Sequence, residues 1–290
     1  MAQNHTKFAE GLMESGQLSH FDTRDGPSFD TQEDTSRWAF IRDKLRKAAA
    51  EFVGTVILTT FGFGAIAQLV LTRSSTWGAM CATWGLSLTL AIYASGGISG
   101  AALNPAVTLA LAIFRGFSWY DVPVYWAAQS AGAFVGALII YLLNEPAIRL
   151  QTIADPNHTI GIFVTGLQTE STSTAVGFFA EFLGTALLVF VILATSEGRG
   201  ITPTDPKFQP VVIGLTLTAI GMGLGAQTGF ALNPARDFAP RVFVAVIGWG
   251  TSAFSRQGYY FWVPIIAPFL GAIGGALSKV FFCRMNGFVG

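Results

Sequence analysis

Six long apolar segments dominate the pattern of hydrophobic and polar positions along the chain, and a polar segment precedes them. The apolar segments lie at about residues 48–71, 77–95, 119–143, 175–195, 209–226 and 259–283. Each is long enough to cross a bilayer core of about 30 Å as a helix, and a helix satisfies its own backbone hydrogen bonds in lipid. The pattern therefore predicts six transmembrane helices.

Polar and charged positions divide the chain into three predicted regions. Residues 1–45 are rich in Ser, Thr, Asp and Gln and predict a disordered cytoplasmic tail, residues 46–285 form a channel domain, and residues 286–290 form a short cytoplasmic C-terminus. Lys and Arg concentrate near both ends and in the 196–208 loop, and six spans put both ends on one side. Because positive charge marks the cytoplasmic side, we predict that both termini are cytoplasmic. Asn157 begins a glycosylation acceptor pattern on the opposite side, where chance occurrence is the favoured explanation.

The chain repeats itself. AEFVGT at 50–55 recurs as AEFLGT at 180–185, LNPA at 103–106 recurs at 232–235, and GAFVGA at 132–137 resembles GAIGGA at 271–276. Repeat 1 covers about 48–143 and repeat 2 about 175–283. With three spans in each repeat, the second copy enters the membrane from the opposite side, which places a solute path at the repeat interface.

Each repeat carries one Asn-Pro-Ala motif, formed by Asn104, Pro105 and Ala106 and by Asn233, Pro234 and Ala235. The runs that follow, 105–115 and 234–247, are too short to cross a bilayer and predict two re-entrant half-helices. Proline suits the first helical position and asparagine the N-cap. Two half-helices entering from opposite faces would meet at their positive ends and repel cations, while the asparagine amides donate to a passing oxygen.

Composition narrows the class of protein. The chain is 51% apolar and 12% charged with a formal net charge of zero, which disfavours a nucleic-acid partner. Two cysteines, Cys81 and Cys283, support neither a disulfide framework nor a metal site, and no cofactor is predicted. The spans offer no set of nucleophile, base and orienting group, so an enzyme is not expected.

The segments SGAALNPAVT and GFALNPARDFAPR resemble the signatures of the aquaporin and glycerol-facilitator family, and the resemblance covers about 48–283. It implies an all-α membrane protein of six transmembrane helices plus two re-entrant half-helices in an inverted repeat. It further implies a homotetramer with one pore per subunit, in the plasma membrane.

By this resemblance, the narrow outer selectivity filter falls on Trp84, Gly221, Phe230 and Arg236. A water-selective member usually has histidine where this chain has Gly221. The glycine would widen the filter, Trp84 and Phe230 would contact carbon atoms, and Arg236 would donate to hydroxyls and repel cations. The alternative is that Trp84 is an interfacial residue and Phe230 a packing residue.

Four further residues match the polyol-conducting branch of the family: Asp237, Arg241, Pro264 and Ile265. Asp237 and Arg241 are four residues apart, so we predict that they pair on one helix face. One position departs from the family. Ala102 replaces a histidine, so gating attributed to that histidine is in doubt here.

Two acids, Glu51 and Glu181, recur near the start of a span in each repeat. Intramembrane acids are candidates for proton coupling. The resemblance instead implies that they accept hydrogen bonds from the loops that hold the half-helices, with Gln129 in the same network.

The sequence as a whole predicts a passive channel for glycerol and other small uncharged solutes together with water, which excludes ions and protons. Urea and similar neutral solutes are further candidates, and the bilayer is the surrounding partner. The alternatives are a water-selective channel, an ion- or proton-coupled transporter built on broken helices, and a membrane scaffold with a closed pore.

Overall fold

The computed structural model describes residues 32–154, 159–196 and 204–285 of the 290-residue chain. The chain divides into two compact units, Met1–Ile41 and Arg42–Gly290. The described part of the first unit, residues 32–41, is helical. The predictions for Asn157, for residues 1–31 of the tail and for the C-terminal segment 286–290 lie outside the described residues.

Nine α-helices, numbered in chain order, make up most of the described residues. Their bounds are α1 Gln32–Ala67, α2 Trp77–Ser99, α3 Pro105–Phe114, α4 Val122–Ala154, α5 Thr174–Thr195, α6 Gln209–Leu224, α7 Pro234–Val244, α8 Ser252–Tyr259 and α9 Val263–Met285. Six helical stretches are long and apolar enough to cross a membrane, and they include α1, α2, α4, α5, α6 and α9. The predicted fold of six spanning helices and two half-helices, α3 and α7, is confirmed.

The first helix is longer than its apolar segment predicts. It begins at Gln32, so residues 32–45, which we predicted as part of a disordered tail, are helical. Asp43 pairs with Arg46 at 3.1 Å and with Lys47 at 2.6 Å, one turn further along. Such pairs support a helix through polar residues that carry no hydropathy signal.

The fourth helix likewise continues past residue 143, where the apolar segment ends, to Ala154. Asn144 Nδ2 donates to the Ile140 carbonyl at 2.9 Å, and Glu145 forms an ion pair with Arg149 one turn later. These local contacts continue the helix where hydrophobicity stops.

Close helix crossing depends on the glycines of the third repeated pair. A Cβ built on Gly271 would lie 2.3 Å from the Phe182 carbonyl oxygen, and one built on Gly132 would lie 2.6 Å from the corresponding Phe52 oxygen. No real side chain tolerates such distances. The predicted packing role of these small residues is therefore confirmed, in both repeats and at matched positions.

Candidate pore and selectivity filter

The two asparagines cap the half-helices. Asn104 Oδ1 accepts from the Ala106 N–H at 2.9 Å, and Asn233 Oδ1 accepts from the N–H groups of Ala235 at 3.0 Å and Arg236 at 3.2 Å. Pro105 and Pro234 are the first residues of α3 and α7, where the missing N–H would have no helical partner. The predicted capping turns are confirmed.

The same asparagines also tie the two motifs to each other. Asn104 Nδ2 donates to the Leu232 carbonyl at 2.8 Å, and Asn233 Nδ2 donates to the Leu103 carbonyl at 2.8 Å. An amide nitrogen has two hydrogens, so each side chain retains a second donor. Both asparagines line one cavity, and both half-helices therefore begin there with their positive ends.

The backbone ahead of each motif is strained in the same way in both repeats. Ala101 and Leu103 have φ of 51° and 52°, and the corresponding Phe230 and Leu232 have φ of 40° and 52°. The left-handed conformation costs an L-residue roughly 1–2 kcal/mol. Such strain persists only where surrounding contacts enforce it, and it is typical of functional sites.

Glu51 enforces this conformation in the first repeat. Its carboxylate accepts from the Ser99 hydroxyl at 2.6 Å, from the N–H groups of Ala102 at 3.0 Å and Leu103 at 2.8 Å, and from Gln129 Nε2 at 2.8 Å. Glu51 is fully buried. These donors come from the loop before the first motif, from the end of α2 and from α4.

Glu181 holds the corresponding loop of the second repeat in its strained conformation. It is fully buried and accepts from the Thr228 hydroxyl at 2.6 Å and from the N–H groups of Ala231 at 2.9 Å and Leu232 at 2.8 Å. The predicted hydrogen bonds from the loops to these two glutamates are present, and Gln129 joins the same network by donating to Glu51 and to the Thr108 hydroxyl. With their oxygens occupied in this way, both acids have a structural explanation.

A cavity of about 160 Å³, here called the inner cavity, extends from the filter past both motifs to a mouth at Ser196 and Gln209. It has two kinds of wall. Apolar side chains come from the spanning helices and include Leu58, Leu88, Ile92, Leu188, Ile213 and Leu217. Polar groups come from residues 100–103 and 230–232, from the two asparagines and from Arg236.

A second cavity of about 330 Å³ meets the inner cavity at Arg236, which lines both. We call it the outer vestibule, after the predicted topology. It is lined by Trp77, by Gln168 and by other residues of the 164–168 loop. Arg236 thus lies at the boundary between the two spaces.

Three of the four predicted filter residues meet at this boundary. The rings of Trp84 and Phe230 are 6.5 Å apart between centroids at 79°, and the Arg236 guanidinium carbon lies 4.6 Å from the centre of the Trp84 ring. Arg236 Nη1 also donates to the Phe163 carbonyl at 3.4 Å. Phe63 completes the group, because its ring contacts Trp84 edge-on at 5.7 Å and lies 5.3 Å from the guanidinium carbon.

Sequence reasoning missed Phe63 and Phe163. Phe63 lies within an apolar span with no motif around it, so only the fold identifies it. Phe163 contributes a backbone carbonyl, and a carbonyl leaves no residue-type signal in a sequence.

The fourth predicted filter residue, Gly221, lies against the Phe230 ring. The residues that line the two cavities include Trp84, Phe230 and Arg236 but not Gly221. A Cβ on Gly221 would lie 3.0 Å from Phe230 Cζ, and one on Gly225, one turn later, would lie 2.5 Å from Phe230 Cδ1. A side chain at either glycine would therefore displace the phenylalanine ring, and the widening of the filter by Gly221 stays a prediction.

Asp237 and Arg241 form a buried ion pair at 2.5 Å, as predicted. Asp237 also accepts from the Thr165 N–H at 2.7 Å and hydroxyl at 2.6 Å, and Arg241 donates to the carbonyls of Thr165 at 2.5 Å and Ala253 at 2.7 Å. The pair therefore holds both the loop at Thr165, which lines the outer vestibule, and the start of helix α8. The corresponding positions of the first repeat are Thr108 and an alanine, which cannot form such a pair.

The remaining predicted residues lie in different settings. Pro264 and Ile265 belong to the first turn of α9 and line neither cavity. Ala102 lines the inner cavity and donates its N–H to Glu51. The role of Pro264 and Ile265 in selecting polyols stays a prediction.

Comparison with known proteins gives the same picture as the geometry. The family model described as Major intrinsic protein matches residues 36–279. Aquaglyceroporin-2 of Rhizophagus irregularis is 47% identical over 82% of this chain and 77% of its own length, and a probable aquaglyceroporin-2 of Gibberella zeae is 38% identical over 89% and 78%. Aquaporin-6 of Laccaria bicolor is 36% identical over 96% and 93%.

A solved structure is similar throughout its length. The X-ray structure of the aquaglyceroporin from Plasmodium falciparum has a TM-score of 0.76 and 33% identity, covering 85% of this chain and 100% of the other. The matched residues 36–279 include both half-helices, the filter and all of the spans except the last turns of α9. The chain therefore belongs to the major intrinsic protein family, and it is a membrane channel rather than an enzyme.

Proposed function

We propose that this chain is a passive channel for glycerol and other small uncharged solutes together with water. The observation that carries the proposal is the mixed wall of the inner cavity, where apolar side chains and a ladder of backbone and amide groups line the same space. Glycerol has the same division, because its carbon atoms are apolar and its hydroxyls both donate and accept. A solute of that chemistry exchanges its water for partners of both kinds.

The filter supports polyols over water alone. Trp84 and Phe230 offer two aromatic surfaces to carbon atoms, and Arg236 offers guanidinium N–H groups to hydroxyl oxygens. Water has no carbon atoms that these two aromatic surfaces could contact. The alternative of a water-specific channel is therefore not favoured.

Ions and protons are excluded by charge at two levels. The two half-helices each direct the equivalent of roughly +0.5 charge toward the cavity at the asparagines, and Arg236 adds a full positive charge at the filter. Among the described residues that line the two cavities, none is an aspartate, glutamate or histidine. A proton-coupled transporter needs such groups along its path, which disfavours that alternative.

The family resemblance and the charge pattern support a proposal for the assembly and location. At most 44% of the apolar window of each span is buried within the chain, so much of every span faces lipid or another subunit. We propose a homotetramer in the plasma membrane, with both termini cytoplasmic and one pore per subunit. Urea is included among the solutes because it is small, neutral and able to donate and accept.

Stopped-flow light scattering on proteoliposomes tests the proposal, using separate gradients of glycerol, urea and an impermeant osmolyte. We expect glycerol entry well above that of empty vesicles, rapid water flow, and no dissipation of an imposed proton gradient. Fast water flow with glycerol entry equal to that of empty vesicles would show a water-specific channel. Equal rates for both solutes in protein-containing and empty vesicles would support the closed scaffold.

A further inference from the structure

Gln257 binds the backbone of a neighbouring loop at two points. Its Oε1 accepts from the Leu167 N–H at 2.8 Å, and its Nε2 donates to the Leu167 carbonyl at 2.6 Å. A side-chain amide here replaces the pair of hydrogen bonds that a neighbouring strand would make. Gly166 makes room for it, because a Cβ on Gly166 would lie 2.4 Å from Gln257 Oε1.

The backbone that presents Gln257 is strained. Residues 257, 258 and 259 at the end of α8 have φ of 53°, 67° and 64°, and two of the three are not glycine. Left-handed backbone costs each of those two roughly 1–2 kcal/mol. Strain of this kind is retained where the contacts that it permits are needed.

The loop held by Gln257 leads directly to the filter. Gly166 N–H donates to the Thr228 carbonyl at 3.1 Å, so the loop runs beside the residues that precede the second motif. Four residues before Leu167, the Phe163 carbonyl accepts from Arg236 Nη1 at 3.4 Å. Leu167 also lines the outer vestibule, whereas Gln257 is not among its lining residues.

The Asp237–Arg241 pair anchors the same loop at Thr165 only. Backbone hydrogen bonds from the Gly166 and Gln168 N–H groups also hold the loop, and the Gln257 amide binds Leu167 between them, which completes the restraint on the direction of the loop. The long bond from Arg236 to Phe163 depends on that direction, because a hydrogen bond at 3.4 Å is lost with a small further separation.

We propose that Gln257 is a positioning residue for solute selection: it holds the 163–168 loop, and through that loop the carbonyl that keeps the Arg236 guanidinium at the edge of the lumen. Without the Gln257 bonds, the Phe163 carbonyl recedes and the Arg236 guanidinium keeps its contacts with the Trp84 and Phe63 rings but loses this hydrogen-bond acceptor. The guanidinium then leans into the lumen. Passage narrows, and glycerol is slowed more than water because glycerol is the larger molecule.

This inference rests on the proposed function, and the ratio of glycerol to water permeability tests it. Gln257→Ala removes both bonds to Leu167, and Gln257→Glu keeps the acceptor but removes the donor. Ser255→Ala is the matched control, since Ser255 lies in the same segment and its hydroxyl donates only within it, to the Thr251 carbonyl at 3.2 Å. All four proteins are reconstituted at equal density and measured with water, glycerol and the four-carbon polyol erythritol.

We expect the glycerol-to-water ratio to fall about fivefold in Gln257→Ala, the factor that one ordinary hydrogen bond represents, with a smaller fall in Gln257→Glu. Erythritol should be affected more than glycerol, and Ser255→Ala should match the wild type. A merely structural role would lower the water and glycerol rates in proportion and leave the ratio unchanged.

Unchanged ratios in both Gln257 variants overturn the inference, and an equal shift in Ser255→Ala does so too. If Gln257→Ala does not fold, Gln257→Glu decides alone by the same criterion. A wild-type protein that passes water but no glycerol contradicts the proposed function instead, so the two failures are distinguishable.

Discussion

Replacing Gly221 tests how the filter is kept wide. Gly221→Ala adds a Cβ that would lie 3.0 Å from Phe230 Cζ and 3.0 Å from the Cys81 sulfur, both closer than ordinary van der Waals contact. The ring has little room to move sideways, because Trp77 packs edge-on against it at 5.9 Å between centroids. It must therefore move toward the lumen, and Gly221→His must displace it further.

The size of the effect follows from the packing. Extra atoms in a well-packed site cost about 1–3 kcal/mol, and any part of that cost that falls on the solute at the filter raises the barrier to passage. A barrier increase of about 1.4 kcal/mol slows passage tenfold. We expect Gly221→His to lower glycerol permeability about tenfold or more, and Gly221→Ala to lower it by a smaller factor, while water permeability changes less.

Stopped-flow measurement of both solutes in proteoliposomes checks this expectation. Gly223→Ala is the control, because it lies two residues along the same helix and its Cβ would meet nothing within 4 Å. It should leave both permeabilities unchanged. If Gly221→His conducts glycerol as fast as the wild type, the packing of Phe230 against Gly221 does not set the width of the filter.

Two further predictions concern the buried polar groups. Arg241→Ala leaves the fully buried Asp237 without its cation and should lower the free energy of unfolding by about 3–5 kcal/mol. The loss should appear as a lower unfolding temperature in detergent. Adding Asp237→Thr should restore most of the lost stability, and no restoration would contradict the pairing argument. Glu181→Gln places an amide N–H opposite the N–H donors of the 228–232 loop and should lower the free energy of unfolding by about 1–3 kcal/mol. It should also reduce the flux per channel. A variant with wild-type flux would show that the loop keeps its strained conformation without the carboxylate.

Much of the architecture could be predicted from the sequence because it follows local rules that repeat. The six spans follow from hydropathy, and the capping roles of Asn104 and Asn233 follow from the preference of asparagine and proline for the start of a helix. Glu51 and Glu181 could be assigned because their positions match in two copies. The ends of the helices could not be predicted in this way. Hydropathy marks the thickness of the bilayer, whereas α1 and α4 continue beyond it through charged residues that form local ion pairs.

The site was less predictable where its geometry depends on backbone groups or on residues that lie behind the side chains lining the cavity. Motif alignment placed Gly221 in the filter, but only the fold shows that it lies behind Phe230. The Phe163 carbonyl and the Gln257 amide act across 73 and 90 residues of sequence, on Arg236 and Leu167 respectively. Contacts of that separation have no periodicity and no motif.

The crossed hydrogen bonds between the motifs have a consequence for how the protein can be divided. Asn104 is bonded to the second repeat and Asn233 to the first, so each asparagine uses an acceptor that the other half supplies. A half-length chain expressed alone would leave its asparagine amide without that acceptor unless a second half-chain completed the crossing. Two separately expressed halves should therefore have to associate for the asparagine amides to regain these acceptors.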